Sequence, residues 1–193
     1  MDKLRIRQTA VGVNYYDVYV RSGLYKTLAL PEVPGCEATG IVEVVGSDVS
    51  GFQEGDRIAY MTGSYRAFAT HRNLPAALAV PLPEAVADET AASNLLWAMT
   101  FEMLTGPVCQ VRPGTSTLVH AAAGGVGRML CQALAGLGAN VIGTVGSEEK
   151  ARIAKDNGCT FCAIRRSTGP WLKVPWPSLH PGNWWRRARG RSL

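Results

Sequence analysis

No unbroken apolar run in this chain of 193 residues approaches the roughly 18 residues that a membrane-spanning helix requires. Its opening stretch, MDKLRIRQT, also lacks the apolar core of a secretory leader. These two absences argue against a membrane span or export and make the cytoplasm the expected compartment. Paired cysteines are lacking as well. The five present, Cys36, Cys109, Cys131, Cys159 and Cys162, are odd in number and scattered, which suits reduced thiols better than a disulfide framework. Cys159-x-x-Cys162 has metal-ligand or redox spacing, but no second such pair accompanies it. It reads as incidental, and no metal is expected. Finally, residues 165–193 contain no acidic side chain at all.

That last absence divides the chain. Residues 1–164 carry 13 Lys and Arg against all 15 Asp and Glu, a net of −2, whereas residues 165–193 carry 7 basic residues and none acidic. The formal charge of +5 therefore belongs to the tail. The tail also holds Trp171, Trp176, Trp184 and Trp185, four of the five tryptophans, with no helical or strand periodicity. It is expected to be disordered and has the look of a reading-frame change or an aberrant terminal exon. As a functional alternative, arginines that pair with phosphate and tryptophans that stack on bases describe a tail for RNA or an anionic surface.

What is present is most informative at residues 117–127, TLVHAAAGGVG. A short β-type run, a glycine turn and a helix, followed about twenty residues later by a second strand, is the arrangement that holds a dinucleotide pyrophosphate. Gly124 and Gly127 take the last two places of G-x-G-x-x-G, while Ala122 stands where the first glycine is usual. Backbone N–H groups at the helix start then face the anion. Met129, Leu130, Ala133, Leu134 and Leu137 recur at helical spacing before Gly138 closes the helix.

Upstream, residues 4–13, 36–45, 57–61 and 65–70 read as short strands of a mostly antiparallel β domain. Asp88 and Glu89 look like the cap and acidic first turn of a helix that runs to a stop at Gly106-Pro107. The predicted organisation is α/β: a β domain over residues 1–88, a bridging helix with part of a nucleotide domain over 89–164, and the tail. Only two strands of the nucleotide domain are expected before the tail begins.

Six segments, GVNYYDVYVRSGLY (12–25), PGCEATGIVEVVG (34–46), FQEGDRIAY (52–60), LLWAMTFEML (95–104), HAAAGGVG (120–127) and VIGTVGSEEK (141–150), are distributed in order along residues 5–160. In these the chain resembles the zinc-independent quinone oxidoreductases, the zeta-crystallin-like branch of the medium-chain dehydrogenase/reductase superfamily. The resemblance implies a GroES-like β domain with the substrate pocket, then a partial Rossmann domain, the chain being short at both ends relative to the family. It implies hydride transfer from NADPH to a quinone or, alternatively, to an enone or alkenal. Zinc-dependent cousins place ligands where this chain has Asn14 and Cys36, and an amide cannot anchor catalytic zinc.

In the matched pocket motif the expected donors to a substrate carbonyl are Asn14 and Tyr25, with Asp17 orienting them. The opposing reading is that Asn14 and Asp17 simply cap a turn. Thr100 matches a threonine near the nicotinamide, and Ala123, Gly124, Gly125, Val126 and Gly127 match the pyrophosphate turn. After the second strand, Val145-Gly146-Ser147 offers no acid for a ribose 2′-hydroxyl. Gly146, Ser147 and Lys150 instead suit a 2′-phosphate, which points to NADPH. Family members are commonly homodimers through the edge of the nucleotide-domain sheet, an edge this chain is expected to lack.

Overall fold

The computed structural model describes residues 2–29 and 31–164; the expectations for 165–193 lie outside the described residues. Contacts divide the chain into two units, Met1–Cys109 and Gln110–Leu193.

The first unit is built on five strands: β1 (Lys3–Gly12), β2 (Glu37–Val45), β3 (Arg57–Met61), β4 (His71–Pro75) and β5 (Val80–Pro81). They form one antiparallel sheet in the order β4-β1-β2-β3-β5. Period-2 alternation explains β1, since Leu4 and Ile6 are fully buried while Lys3, Arg5 and Arg7 face solvent. With Val42, Ile58, Tyr60 and Leu74 they make the core of this unit.

The strand expected over 65–70 is not one. Tyr65 and Arg66 have φ of 55° and 70°, left-handed values that a ladder cannot accommodate. The chain turns there, and the N–H groups of Arg66, Ala67 and Phe68 donate to the carbonyls of Val33, Gly35 and Pro34. Buried Arg72 holds this turn, donating to the Tyr65 carbonyl and to Ser64 Oγ while its guanidinium lies 5.0 Å from the Tyr60 ring centroid.

Helix α1 (Tyr15–Arg21) follows β1, and α2 (Asp88–Met103) packs on β1, β2 and β3. By its packing α2 is thus part of the first unit, although the sequence groups it with the second. Asp88 does not cap it: Ala87 holds that position, and the Asp88 carboxylate is paired with Arg57. Arg57 also donates to the Val86 carbonyl at 2.7 Å, so the charge fastens the helix start to β3. The helix ends at Met103, a little before the expected stop, and Pro107 lies in a wide turn over Leu104–Val108.

The second unit alternates β6 (Ser116–Val119), α3 (Gly125–Gly136), β7 (Asn140–Val145), α4 (Glu148–Asp156) and β8 (Phe161–Ile164). Its sheet is parallel, in the order β6-β7-β8. Three strands are present where two are expected, because the four-residue run FCAI is too short to carry a periodic signal. Val119, Ala122, Cys131, Leu134, Val141 and Ala154 fill the space between sheet and helices. Among the described residues, no helix is long and apolar enough to cross a membrane.

Candidate functional site

In the second unit the turn between β6 and α3 closes tightly. Ala121 takes a left-handed φ of 52°, and the Gly124 N–H donates back to the Ala121 carbonyl at 2.8 Å. Gly127 faces this turn so closely that a Cβ there would meet the Ala121 carbonyl oxygen at 2.2 Å. A side chain is thus excluded by backbone, the helix-to-strand approach that the last glycine of the motif provides. Ala122, in the place of the first glycine, is fully buried and donates its N–H to the Thr144 carbonyl at 3.1 Å. Its methyl is accommodated by a glycine elsewhere: a Cβ at Gly143 on β7 would lie 2.7 Å from it.

Helix α3 then begins without a capping side chain and without an acidic residue in its first turn. The N–H groups of Gly125, Val126 and Gly127 have no partner within the helix and carry the positive end of its dipole. Helix α4 begins differently. Ser147 Oγ accepts the Lys150 N–H at 3.2 Å, and Glu148 and Glu149 stand in the first turn. The Ser147 oxygen is thereby engaged, while its hydroxyl hydrogen remains a donor. Gly146 has open space where its Cβ would be.

In the first unit the structure brings Asn14 and Asp17 together and adds two residues that the sequence reading passed over in this role. Asn14 precedes α1, and its backbone N–H donates to Asp17 Oδ2 at 2.8 Å. The pair does cap the helix, but Asp17 orients the Asn14 backbone rather than its amide. The amide is oriented by Glu37, whose Oε1 accepts Asn14 Nδ2 at 2.6 Å and whose Oε2 accepts the Leu96 N–H of α2 at 2.7 Å. Glu37 is 1% exposed, and its burial raises the carboxyl pKa against the lowering effect of those two donors. Gly12 leaves room for it, since a Cβ there would meet Glu37 at 2.4 Å and the Ala92 carbonyl oxygen at 2.1 Å.

Cys36 is the second addition. Its thiol donates to Asp17 Oδ1 at 3.3 Å, and burial, then the Asp17 charge, pushes its pKa up to about 12. It is therefore a protonated thiol that serves as a hydrogen-bond donor to Asp17. The one available signal for Glu37 was an acid directly ahead of an uncharged run, ATGIV, in the strand EATGIVEVV. Among the described residues, no group of three or more His, Cys, Asp and Glu is placed to hold a metal ion.

Tyr25 belongs to an aromatic cluster, its ring centroid 5.4 Å from Tyr19 and 5.7 Å from Tyr16. It is 43% exposed. Thr100 donates its hydroxyl to the Leu96 carbonyl at 2.7 Å within α2, so its oxygen has only lone pairs to offer elsewhere.

Residues 1–84 match the family described as the alcohol dehydrogenase GroES-like domain. Over 156 residues, 81% of this chain, the sequence is 44% identical to a quinone oxidoreductase of Pseudomonas aeruginosa, of which it covers 48%. It is 38% identical over 177 residues to a 2-haloacrylate reductase of a Burkholderia species, covering 89% of this chain and 53% of that one. The solved structure of Escherichia coli quinone oxidoreductase complexed with NADPH superposes with a TM-score of 0.82 at 38% identity, over 88% of this chain and 52% of that one. The chain spans about half the length of the relatives it matches.

Proposed function

We propose, from the premise that the chain belongs to the medium-chain dehydrogenase/reductase superfamily beside its quinone oxidoreductases, that its function is the NADPH-dependent, zinc-independent reduction of quinones. The observation that carries this reading is the start of α3, a glycine turn closed by backbone and followed by amide donors with neither a capping side chain nor an acid beside them. That is what a pyrophosphate requires. When bound, NADPH supplies a hydride to the electron-poor ring.

Within the second unit, Gly125, Val126 and Gly127 would donate N–H groups to the pyrophosphate, with Ala123 and Gly124 shaping the turn. Gly146, Ser147 and Lys150 would receive the 2′-phosphate, Ser147 through its hydroxyl hydrogen and Lys150 through its charge. Within the first unit, Glu37 holds one amide hydrogen of Asn14. The other would donate to the substrate carbonyl oxygen, joined by the Tyr25 hydroxyl, with Asp17 fixing the Asn14 backbone. Thr100 would accept from the nicotinamide side. A quinone delocalises the charge that it gains, so orientation is the protein's main contribution and solvent delivers the proton.

A second reading, reduction of an electron-poor alkene such as an enone, is favoured by the similarity to the 2-haloacrylate reductase. Both readings carry a cytoplasmic setting and a small-molecule acceptor as partner. The test follows loss of the reduced-nicotinamide absorbance with NADPH and either a benzoquinone or an enone. Turnover with the quinone that is faster with NADPH than with NADH supports the first reading; turnover with the enone alone supports the second. Absence of both contradicts the reductase reading for this chain.

A further inference from the structure

We infer that Cys159 and Cys162 form an oxidisable dithiol that a hydroperoxide closes to a disulfide directly beneath the turn that opens α3. Spacing alone made this pair look incidental; its placement in the fold does not. The two sulfur atoms lie 3.2 Å apart, so covalent closure to about 2.05 Å brings them together by roughly 1 Å. Cys162 lies in β8, in register with Gly143 of β7. A Cβ at Gly143 would stand 2.8 Å from Cys159 Sγ, 3.7 Å from Cys162 Sγ and 2.7 Å from the Ala122 methyl. The sulfur pair and Ala122 therefore share the space that this glycine leaves.

The two thiols are not equivalent. Cys159 is 4% exposed and donates to the Phe161 carbonyl at 2.8 Å, whereas Cys162 is only half-buried and meets solvent first. Burial, then the hydrogen bond and charge of Cys159, pushes the Cys162 pKa up to about 12, while Lys155 opposes this. Cys162 therefore rests as a thiol and reacts slowly.

In the reaction the Cys162 sulfur attacks the terminal oxygen of the hydroperoxide; an S–O bond forms, the O–O bond breaks, and the departing oxygen takes the Cys162 proton and leaves as an alcohol, or as water when the oxidant is hydrogen peroxide. The Cys159 sulfur then attacks the Cys162 sulfenic acid. An S–S bond forms, the S–O bond breaks and water leaves with the Cys159 proton. Two thiols lose two electrons in total and one peroxide gains them.

The test uses the full chain. Trypsin cuts after Lys155 and Arg165, so both cysteines fall in one peptide, residues 156–165, while Cys131 lies in the peptide 129–150. The native protein is treated with hydrogen peroxide, its remaining thiols are alkylated after denaturation, and the peptides are weighed. The expected product is peptide 156–165 lighter by two hydrogen atoms, without alkyl label, and regaining two labels when dithiothreitol precedes alkylation. In Cys162→Ser the loss of two hydrogens disappears from this peptide. Two results would overturn the inference. In the first, the wild-type peptide keeps two alkylatable thiols after the exposed Cys109 has been oxidised. In the second, the peptide is found joined to 129–150 through Cys131. Both are read on the wild-type chain, so they hold even if the variant does not fold.

Discussion

Helices α3 and α4 both begin just beyond the end of a parallel strand, yet one start is closed by its own sequence and the other is left open. At α4, Ser147 caps the Lys150 amide, and Glu148 and Glu149 place negative charge at the positive end of the dipole. At α3 there is no cap and no acid, only Gly124, Gly125 and Gly127, the last of which has no room for a side chain against the Ala121 carbonyl. A helix that supplies its own anion needs none from outside, whereas one that withholds it is prepared to receive a phosphate. The start of α2, in the first unit, has no capping side chain either, but Asp88 and Glu89 stand in its first turn, so it too carries its own negative charge.

The comparison breaks most severely at Gly127. Gly127→Ala drives a Cβ to 2.2 Å from the Ala121 carbonyl oxygen, and backbone cannot yield as a side chain would. A loss of about 3 kcal/mol is expected, read as a lower urea midpoint together with loss of the NADPH response. An unchanged midpoint would mean that the turn is not closed as described.

The next effect is at Glu37. Replacing one carboxylate oxygen by an amide nitrogen in Glu37→Gln sets donor against donor at Asn14 or Leu96, costing about 2 kcal/mol. The pH dependence has a definite sign. Burial raises the folded-state pKa of Glu37 above its unfolded value, so its contribution is fully present below the unfolded value and is lost as pH rises through the folded one. Denaturation of wild type across the acid range should therefore show a downward slope relative to Glu37→Gln; parallel curves would contradict the raised value.

The smallest effect separates the two helix starts. Ser147→Ala removes the cap of α4 and should lower stability by about 1 kcal/mol. Gly124→Ala at α3 removes no side chain and no cap, and its added Cβ approaches the Ala121 carbonyl oxygen only to 3.2 Å. It should weaken the NADPH response more than the fold. If thermal melts show the reverse ranking, the contrast between a self-capped and a ligand-capped helix fails.

Much of this was legible in the residues themselves. Alternation revealed β1 to within a residue, because Leu4 and Ile6 point one way and three basic residues the other. The glycine turn was readable from its flanking strand and helix. Strand β4, HRNLP, was hidden because one of its inward-facing residues is an arginine and it ends in proline. The Tyr65 turn was hidden because its left-handed backbone is imposed by Arg72 and the loop over residues 33–35, which no local pattern announces. Glu37 escaped for a related reason: a buried carboxylate is made tolerable by Asn14 and Leu96, partners distant in sequence. The approach of Cys159 to Cys162 likewise depends on the register of β8 against β7, beyond the reach of spacing alone.

The central claim, that the open start of α3 is a dinucleotide site, is tested most directly by thermal unfolding of the full chain with and without saturating NADPH, with NADH as the control. At a hundredfold excess over the dissociation constant, binding to the folded state adds about 2.7 kcal/mol. The account predicts a cooperative melt moved up by several degrees with NADPH and by less with NADH. A melt that neither nucleotide moves would contradict it.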